Sequence, residues 1–169
     1  MRKTIISALF ILSVVFSASA QDNVVPNVMT KGTSMGNVGI GLPVIKSGYK
    51  ISIPTIIAFY EMGIIDLGRP GSVGVGAQVG FWGHKDFVHY YNTLLGLRGA
   101  YHFTIMKNWE VYGGALLGIT LESHSSTTKP KFGWQLFAGT RYMFTPSLGA
   151  FVELGYGATY GSIGATYRF

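Results

Sequence analysis

Apolar residues alternate with glycine or polar residues along most of this chain, and this period of two is the feature that most limits its fold. The last stretch alternates Ile163, Ala165, Tyr167 and Phe169 with Ser162, Gly164, Thr166 and Arg168. Seven earlier segments repeat the pattern, at residues 38–42, 56–62, 73–81, 95–103, 111–119, 134–144 and 150–156. Because successive side chains of a strand point to opposite faces, the pattern predicts eight β-strands, each with one apolar face.

Glycine is abundant and charge is scarce. The chain has 169 residues, with 24 glycines and 12% charged residues, whereas a typical soluble domain has about 7% glycine and 25% charge. The high apolar content excludes intrinsic disorder, which requires low hydrophobicity and high charge. The absence of cysteine excludes a disulfide scaffold, a cysteine nucleophile and a zinc-thiolate site. The length fits one domain.

The composition of the two strand faces predicts which face points inward. A soluble barrel would turn its apolar face inward and cover its outer face with lysine, glutamate and serine. Here the other face is mostly glycine, which is poor on a solvated strand but fits a crowded, narrow interior. We therefore predict that the apolar face contacts lipid and the glycine face lines the lumen. A soluble barrel of opposite orientation is the alternative.

The first twenty residues resemble a secretory signal peptide. Basic residues 2–3 precede an apolar run at residues 5–16, and Ala18-Ser19-Ala20 provides a small-residue cleavage site. The apolar run is shorter than the roughly 20 residues that a membrane-spanning helix requires. We expect a signal peptide at 1–20, a periplasmic segment at 21–32 and a barrel at 33–169. Cleavage removes Arg2 and Lys3 and lowers the formal net charge from +6 to +4.

Connection lengths predict the orientation of the barrel. Residues 106–108 and 145–147 have the composition of tight turns, whereas residues 82–92 and 122–131 are longer and polar. Outer-membrane barrels have short periplasmic turns and longer outer loops, so we expect both termini in the periplasm. Aromatic residues near the strand ends are predicted to form interfacial belts: Trp82, Tyr90, Tyr91, Trp109, Tyr142, Phe144, Tyr167 and Phe169.

Ionisable residues on the glycine face are predicted to fill the lumen. An eight-stranded barrel leaves a bore just wide enough for side chains, and unpaired charges there would be costly. We expect a paired interior network, and hence a closed barrel with a filled interior, formed by Glu61, Arg98, His102, Glu110, Arg141, Glu153 and Arg168. The alternative is that these residues lie at the rims and are solvated.

Several segments resemble the small outer-membrane β-barrel proteins of Gram-negative bacteria, in the broad OmpA/OmpX-like class. They are residues 53–63, 74–76, 97–102, 138–142, 153–157 and 167–169. The resemblance covers residues 33–169 and implies an eight-stranded antiparallel transmembrane β-barrel with up-and-down topology. The peptidoglycan-binding domain of the larger OmpA pattern is not matched, so cell-wall anchoring is not implied.

The last residues are similar to the signal that the barrel assembly machinery recognises in this class. That signal ends in an aromatic residue with aromatic or apolar residues two, four and six positions before it. Phe169, Tyr167, Ala165 and Ile163 match this pattern. The resemblance therefore implies that the assembly machinery is a partner of the chain during biogenesis.

Motifs of known chemistry are weak in this chain. Residues 74–80 have the wrong glycine spacing for a dinucleotide loop. The segment Glu122-Ser123-His124-Ser125-Ser126 has the residue types of a hydrolase site, and His84, Asp86 and His89 could bind a metal, but we interpret both groups as solvated loops. We expect no catalytic residues, no cofactor and no metal.

Lysines are concentrated in the predicted outer loops. We expect Lys46, Lys50, Lys85, Lys129 and Lys131 to contact phosphates of outer-membrane lipid, including lipopolysaccharide. No basic stripe with stacking aromatics suggests nucleic-acid binding. The sequence thus predicts a monomeric, non-enzymatic structural or surface-interaction protein of the outer membrane. Two alternatives remain open, a lipid-processing enzyme and a small channel or ligand-binding barrel.

Overall fold

Eight antiparallel strands form a closed barrel. The computed structural model describes residues 27–45, 48–68, 71–85, 87–124 and 127–169. The strands are β1 (Ser34–Pro43), β2 (Lys50–Asp66), β3 (Gly71–Lys85), β4 (His89–Met106), β5 (Trp109–His124), β6 (Thr127–Met143), β7 (Leu148–Tyr156) and β8 (Thr159–Arg168). Each strand pairs with the next, and β8 pairs with β1. The predicted up-and-down barrel of eight strands is confirmed.

Some predictions fall outside the described residues. They concern the signal peptide at 1–20, the first part of the segment at 21–32, and Lys46. Within the described ranges there is no helix long and apolar enough to cross a membrane. The end of the barrel where β1 begins and β8 ends is called the proximal end below, and the opposite end is called the distal end.

The predicted orientation of the two strand faces is confirmed. Outward side chains are apolar and exposed, with exposed fractions of 60% for Val38, 74% for Leu97 and 67% for Leu154. Inward positions hold buried polar residues, such as Arg98 at 2% and Glu61 at 1%. An exposed apolar wall around a polar interior is the reverse of a soluble barrel, and it matches the face pattern of transmembrane barrels.

The interior is less polar than the sequence predicts. Trp82, Leu94 and Leu116 belong to a buried apolar cluster that also contains Tyr112 and Phe137. A second cluster joins Ile57, Phe59 and Phe151. These large side chains occupy space that glycine alone would leave empty, because a closed interior must be packed as tightly as any other protein core.

The strands β2 to β6 are longer than predicted. They contain 15 to 18 residues, whereas a tilted strand crosses a membrane in about 10. The predicted polar loops at 82–92 and 122–131 are largely paired strand, as the partners His84↔Tyr90 and Glu122↔Lys129 show. Polar side chains do not interrupt an antiparallel ladder, because its hydrogen bonds join backbone groups.

Two of the predicted belt residues point inward. Trp82 is 6% exposed, and Tyr90 stacks on the His84 ring at 5.1 Å between centroids. Strands β3 and β4 continue past the predicted loop boundary, so the alternation of faces continues as well. Trp82 and Tyr90 therefore point inward, while their chain neighbours Phe81 and Tyr91 point outward. The other predicted belt aromatics are exposed on the outer surface: Tyr91, Trp109, Tyr142, Phe144, Tyr167 and Phe169.

The barrel wall is uneven in height. Strands β7, β8 and β1 have only 9 or 10 residues, so the distal parts of β2 and β6 extend past their neighbours. The β6–β7 ladder begins at Leu136↔Tyr156, and the β1–β2 ladder ends at Gly41↔Thr55. The overhanging edges, residues 50–54 of β2 and 127–135 of β6, each contain lysine and one proline, Pro54 or Pro130.

Close contact between neighbouring strands depends on glycine at specific positions. A Cβ built on Gly114 would collide with the carbonyl oxygen of Gly99 on β4. A Cβ built on Gly99 itself would meet nothing within 4 Å. These two glycines lie on adjacent strands, so they form a matched pair for a test of packing.

We predict that Gly114→Ala lowers the stability of the folded barrel, whereas Gly99→Ala leaves it within about 0.5 kcal/mol of the parent. The added methyl group at residue 114 must displace backbone, which a rigid ladder resists. The stability of both variants is measured by urea unfolding in detergent. The folded fraction at each urea concentration is read from the difference in gel migration between heated and unheated samples. Equal midpoints for the two variants would contradict this account of the packing.

Candidate functional site

Arg98 is the centre of a buried ionic network in the lumen. Its Nε donates to Glu61 Oε1 at 3.0 Å, Nη1 donates to Gln78 Oε1 at 2.6 Å, and Nη2 donates to Glu153 Oε2 at 2.9 Å. The side chains of Arg98, Glu61 and Glu153 are almost fully buried. Charge-assisted hydrogen bonds of this length are the strongest in proteins.

Two aromatic rings enclose the Arg98 guanidinium. Its Cζ lies 3.9 Å from the centroid of the Phe59 ring and 4.0 Å from that of Phe137. A guanidinium is weakly hydrated and stacks well on aromatic faces. The two rings therefore help to shield the cation from water while its N–H groups donate to the carboxylates and to Gln78.

Arg141 forms the second half of the network. Its Nη2 donates to Glu61 Oε2 at 2.8 Å and its Nη1 donates to Glu110 Oε1 at 2.6 Å. Glu61 thus accepts hydrogen bonds from Arg141 and from Arg98 on different oxygens. Nη2 also donates to Asn37 Oδ1 at 3.3 Å, an oxygen that accepts from the Thr166 hydroxyl as well.

The network crosses the whole barrel. Arg141 lies on β6 and Glu61 on β2, which are opposite each other in a ring of eight strands. Arg98 on β4 reaches Glu153 on β7 across the same space. Side-chain contacts therefore span the lumen at this level.

His102 lies at one end of the network. Its Nδ1 is 3.3 Å from Glu110 Oε1, and its ring lies 5.5 Å from that of Tyr112. The three carboxylates, Glu61, Glu110 and Glu153, lie within ion-pair distance of the two guanidiniums of Arg98 and Arg141, and Glu110 also contacts His102.

The expectation that Arg168 joins this network is wrong. Arg168 lies at the proximal end, where its Nε donates to the Pro146 carbonyl at 2.8 Å and its Nη1 donates to the Val28 carbonyl at 3.0 Å. Residue alternation places it on the correct face, but its position next to the end of β8 puts it too far along the barrel axis to reach the carboxylates.

Sequence reasoning missed three polar members of the network and its surroundings. Asn37 and Thr166 lie inward on β1 and β8, and Gln135 Nε2 donates to Glu153 Oε1 at 3.4 Å. The alternation placed all three on the glycine face, so the signal was present in the sequence. They were missed because the predicted network was built around ionisable residues, with Gln78 as its only neutral polar partner.

The weak chemical motifs at the distal end are not assembled into sites. Ser123 and His124 are successive residues of β5, so their side chains lie on opposite faces: Ser123 Oγ is 3.0 Å from Thr128 Oγ1, and His124 stacks on Tyr90. His84 stacks on Tyr90 inside, whereas His89 stacks on Tyr91 outside. Asp86, Ser125 and Ser126 lie outside the described residues. Among the residues that the structure describes, no three metal-ligating side chains converge.

The described lysines of the predicted lipid-contact set lie at the distal end and are exposed. Lys131 Nζ is 2.6 Å from Glu122 Oε1, and Lys129 lies opposite Glu122 in the ladder. Lys50 and Lys85 are direct cross-strand partners. Two like charges opposite each other destabilise a sheet unless an anion lies between them.

The four residues of the predicted assembly signal form one outward stripe on and just after β8. The exposed fractions are 57% for Ile163, 49% for Tyr167 and 76% for Phe169, and Ala165 is exposed between them. The Tyr167 and Phe169 rings contact each other edge to face at 5.1 Å.

Comparisons with known proteins show the fold. No family model matches the chain, and no curated protein matches it. Among solved structures, a de novo designed transmembrane β-barrel aligns with a TM-score of 0.52 and 19% identity, over 83% of this chain and 98% of the other. Ail, the attachment invasion locus protein of Yersinia pestis, aligns with a TM-score of 0.57 and 17% identity, over 83% of this chain and 100% of Ail.

A second structure of Ail, in complex with the heparin analogue sucrose octasulfate, aligns with a TM-score of 0.58 and 18% identity, again over 83% of this chain and 100% of Ail. Identities this low establish architecture alone. The chain therefore has the eight-stranded transmembrane β-barrel fold of the small outer-membrane barrels, as its resemblance to the OmpA/OmpX-like class predicts.

Proposed function

We propose that this chain is an outer-membrane barrel with a closed lumen, and that it acts as a structural or surface-interaction protein. The barrel exposes an apolar wall that only lipid can cover, and it shares its fold with transmembrane barrels. In this orientation the proximal end faces the periplasm and the distal end faces outward. Export would use the signal peptide expected at residues 1–20.

The ionic network carries the proposal of a closed lumen. The contact between Arg141 and Glu61 joins opposite walls at 2.8 Å, and the contact between Arg98 and Glu153 crosses the same level at 2.9 Å. Apolar side chains, including Leu94 and Leu116, pack in the same interior. A diffusion pore would need unpaired, hydrated interior charges, whereas each of these charged side chains is buried and ion-paired.

An enzymatic role has little support in the geometry of the described residues. Ser123 and His124 lie on opposite faces of β5, and His102 is buried against Glu110 inside the lumen. A nucleophile and its base must lie within hydrogen-bond reach of each other. We therefore favour a non-catalytic role.

We predict that the protein, reconstituted in planar bilayers, shows no stable ion conductance. The physical reason is that ions would have to displace a paired and desolvated network. Single-channel recording measures this directly, with a known porin as the positive control. Stable conductance by the unmodified barrel would refute the closed-lumen proposal and favour the small-channel alternative.

We predict that Arg98→Met destabilises the folded barrel by several kcal/mol, because it leaves Glu153 as a buried charge without its cation. Arg98→Met combined with Glu153→Gln should recover part of this loss, since it removes the unpaired charge and keeps the volume. Urea unfolding monitored by heat-modifiable gel migration reports both variants. A double variant that is no more stable than Arg98→Met would contradict the pairing.

We also propose that the distal lysines bind phosphates of the outer leaflet, which include those of lipopolysaccharide. The observation that favours this is the cross-strand pair Lys50↔Lys85, which would be stabilised by an anion between the two ammonium groups. Ail was solved with a highly sulfated sugar, so a polyanion outside the membrane is a second possible source of the same charge. The stripe at Ile163, Ala165, Tyr167 and Phe169 would be recognised by the assembly machinery during biogenesis.

We predict that replacing Lys46, Lys50, Lys85, Lys129 and Lys131 with glutamine weakens binding to lipopolysaccharide. Most of the loss should appear in the variant Lys50→Gln/Lys85→Gln alone. Lys131→Gln alone should weaken binding less than Lys50→Gln/Lys85→Gln, because Glu122 already neutralises part of the Lys131 charge. Binding to lipopolysaccharide-containing nanodiscs at two salt concentrations separates charge effects from unfolding. An unchanged affinity in the fivefold variant would count against lipid-phosphate contact.

A further inference from the structure

The segment that precedes β1 folds into the proximal mouth of the barrel. Val28 is 3% exposed and Met29 is 0% exposed. Both side chains belong to a buried cluster with Met35 on β1 and Met143 on β6. Residues 28–33 therefore cover the proximal opening from inside the ring of strands.

Three strands hold the backbone of this segment. The Val28 N–H donates to Thr104 Oγ1 on β4 at 2.9 Å, and the Val28 carbonyl accepts from Arg168 Nη1 on β8 at 3.0 Å. The Met29 carbonyl accepts from Ser72 Oγ on β3 at 2.8 Å. Two consecutive residues are thus fixed by side chains from widely separated parts of the barrel wall.

The following residues are attached to the rim at β2. Gly32 N–H donates to the Gly63 carbonyl, and Gly63 N–H donates to the Thr33 carbonyl, both at 2.9 Å. The Lys31 N–H donates to Asp66 Oδ1 at 2.9 Å. A Cβ on Gly63 would collide with the Thr30 carbonyl, so glycine at this position allows the segment to lie against the strand.

We propose that the proximal mouth is a binding site for a short peptide that carries two successive apolar residues. Its resident occupant is the chain's own segment 28–33, which forms a second seal separate from the ionic network. Three polar side chains, Thr104, Ser72 and Arg168, recognise backbone groups and would accept many sequences. Met35 and Met143 form an apolar pocket with flexible side chains, so the site selects for apolar residues at two successive positions.

This inference goes beyond the closed-lumen proposal because the two seals use different contacts. The segment's backbone is held by Thr104, Ser72 and Arg168, and none of these residues bonds to the network carboxylates in the described structure. The two seals contact each other at Met35, whose sulfur lies 3.1 Å from Arg141 Nη1. Loss of one seal should therefore leave the other in place.

The first test measures how often the segment leaves its site. The chain has no cysteine, so Met29→Cys gives a single thiol in the proposed site, and Lys31→Cys gives a matched exposed thiol nearby. In the folded barrel we expect Met29→Cys to react with a water-soluble maleimide more than about tenfold slower than Lys31→Cys, because reaction requires local opening. Equal rates in material that shows folded, heat-modifiable migration would overturn the proposal.

Adding Ser72→Ala and Thr104→Val to Met29→Cys should raise its reaction rate toward that of Lys31→Cys. Network variants such as Glu153→Gln should leave the rate unchanged, which distinguishes the two seals. A rate that stays low after the backbone contacts are removed would show that these residues do not hold the segment. Conductance of the variant Val28→Asp/Met29→Asp, in which the segment should leave its site, tests the closure by the ionic network alone, so either proposal can fail without the other.

The second test supplies the peptide from outside. The full chain carrying Val28→Asp and Met29→Asp should vacate its own site. A fluorescent peptide with the sequence of residues 27–33 should then bind saturably to this variant in nanodiscs. The same peptide with aspartate at both apolar positions is the control, as are empty nanodiscs. Equal binding of the two peptides, or no saturable binding of the first, would overturn a peptide site at the proximal mouth.

Discussion

The arrangement of charged side chains in the lumen depends on a single carboxylate that lies between two guanidiniums. Glu61 accepts from Arg98 on one oxygen and from Arg141 on the other, and the three side chains come from three strands around the ring. In a narrow lumen without bulk water, each charge needs a partner within the lumen, either on a neighbouring strand, as for Glu110 and Arg141, or across the barrel, as for Glu61 and Arg141. The contacts that pair the charges therefore also span the lumen, and the proposed closure of the barrel rests on them.

The alternation in the sequence predicted the number of strands, their order and the direction of each face. It also identified the five acidic and arginine residues of the network, because single charges stand out on a glycine face. The alternation does not encode how far along the barrel axis a residue lies or where a strand ends. Arg168 has the correct face but lies at the proximal end, and the lengths of β2 to β6 could not be predicted, because a ladder continues through polar residues as easily as through apolar ones.

The side-chain contacts inside the lumen could not be predicted from the sequence, for a different physical reason. Val28 and Met29 precede the first strand and follow no period, so nothing local indicates that they are buried. Their site exists only after β3, β4, β6 and β8 have come together around the proximal mouth. The same holds for the rings of Phe59 and Phe137, which meet Arg98 from strands far apart in the chain.

The uneven wall has a consequence for how the distal end can meet other molecules. The overhanging parts of β2 and β6 present backbone groups that another chain could in principle extend into a larger sheet. Pro54 and Pro130 interrupt those edges, and lysines flank them, at Lys50 on β2 and at Lys129 and Lys131 on β6. These residues disfavour the pairing of either edge with a strand of another chain. A partner at the distal end would therefore be recognised by side-chain contacts.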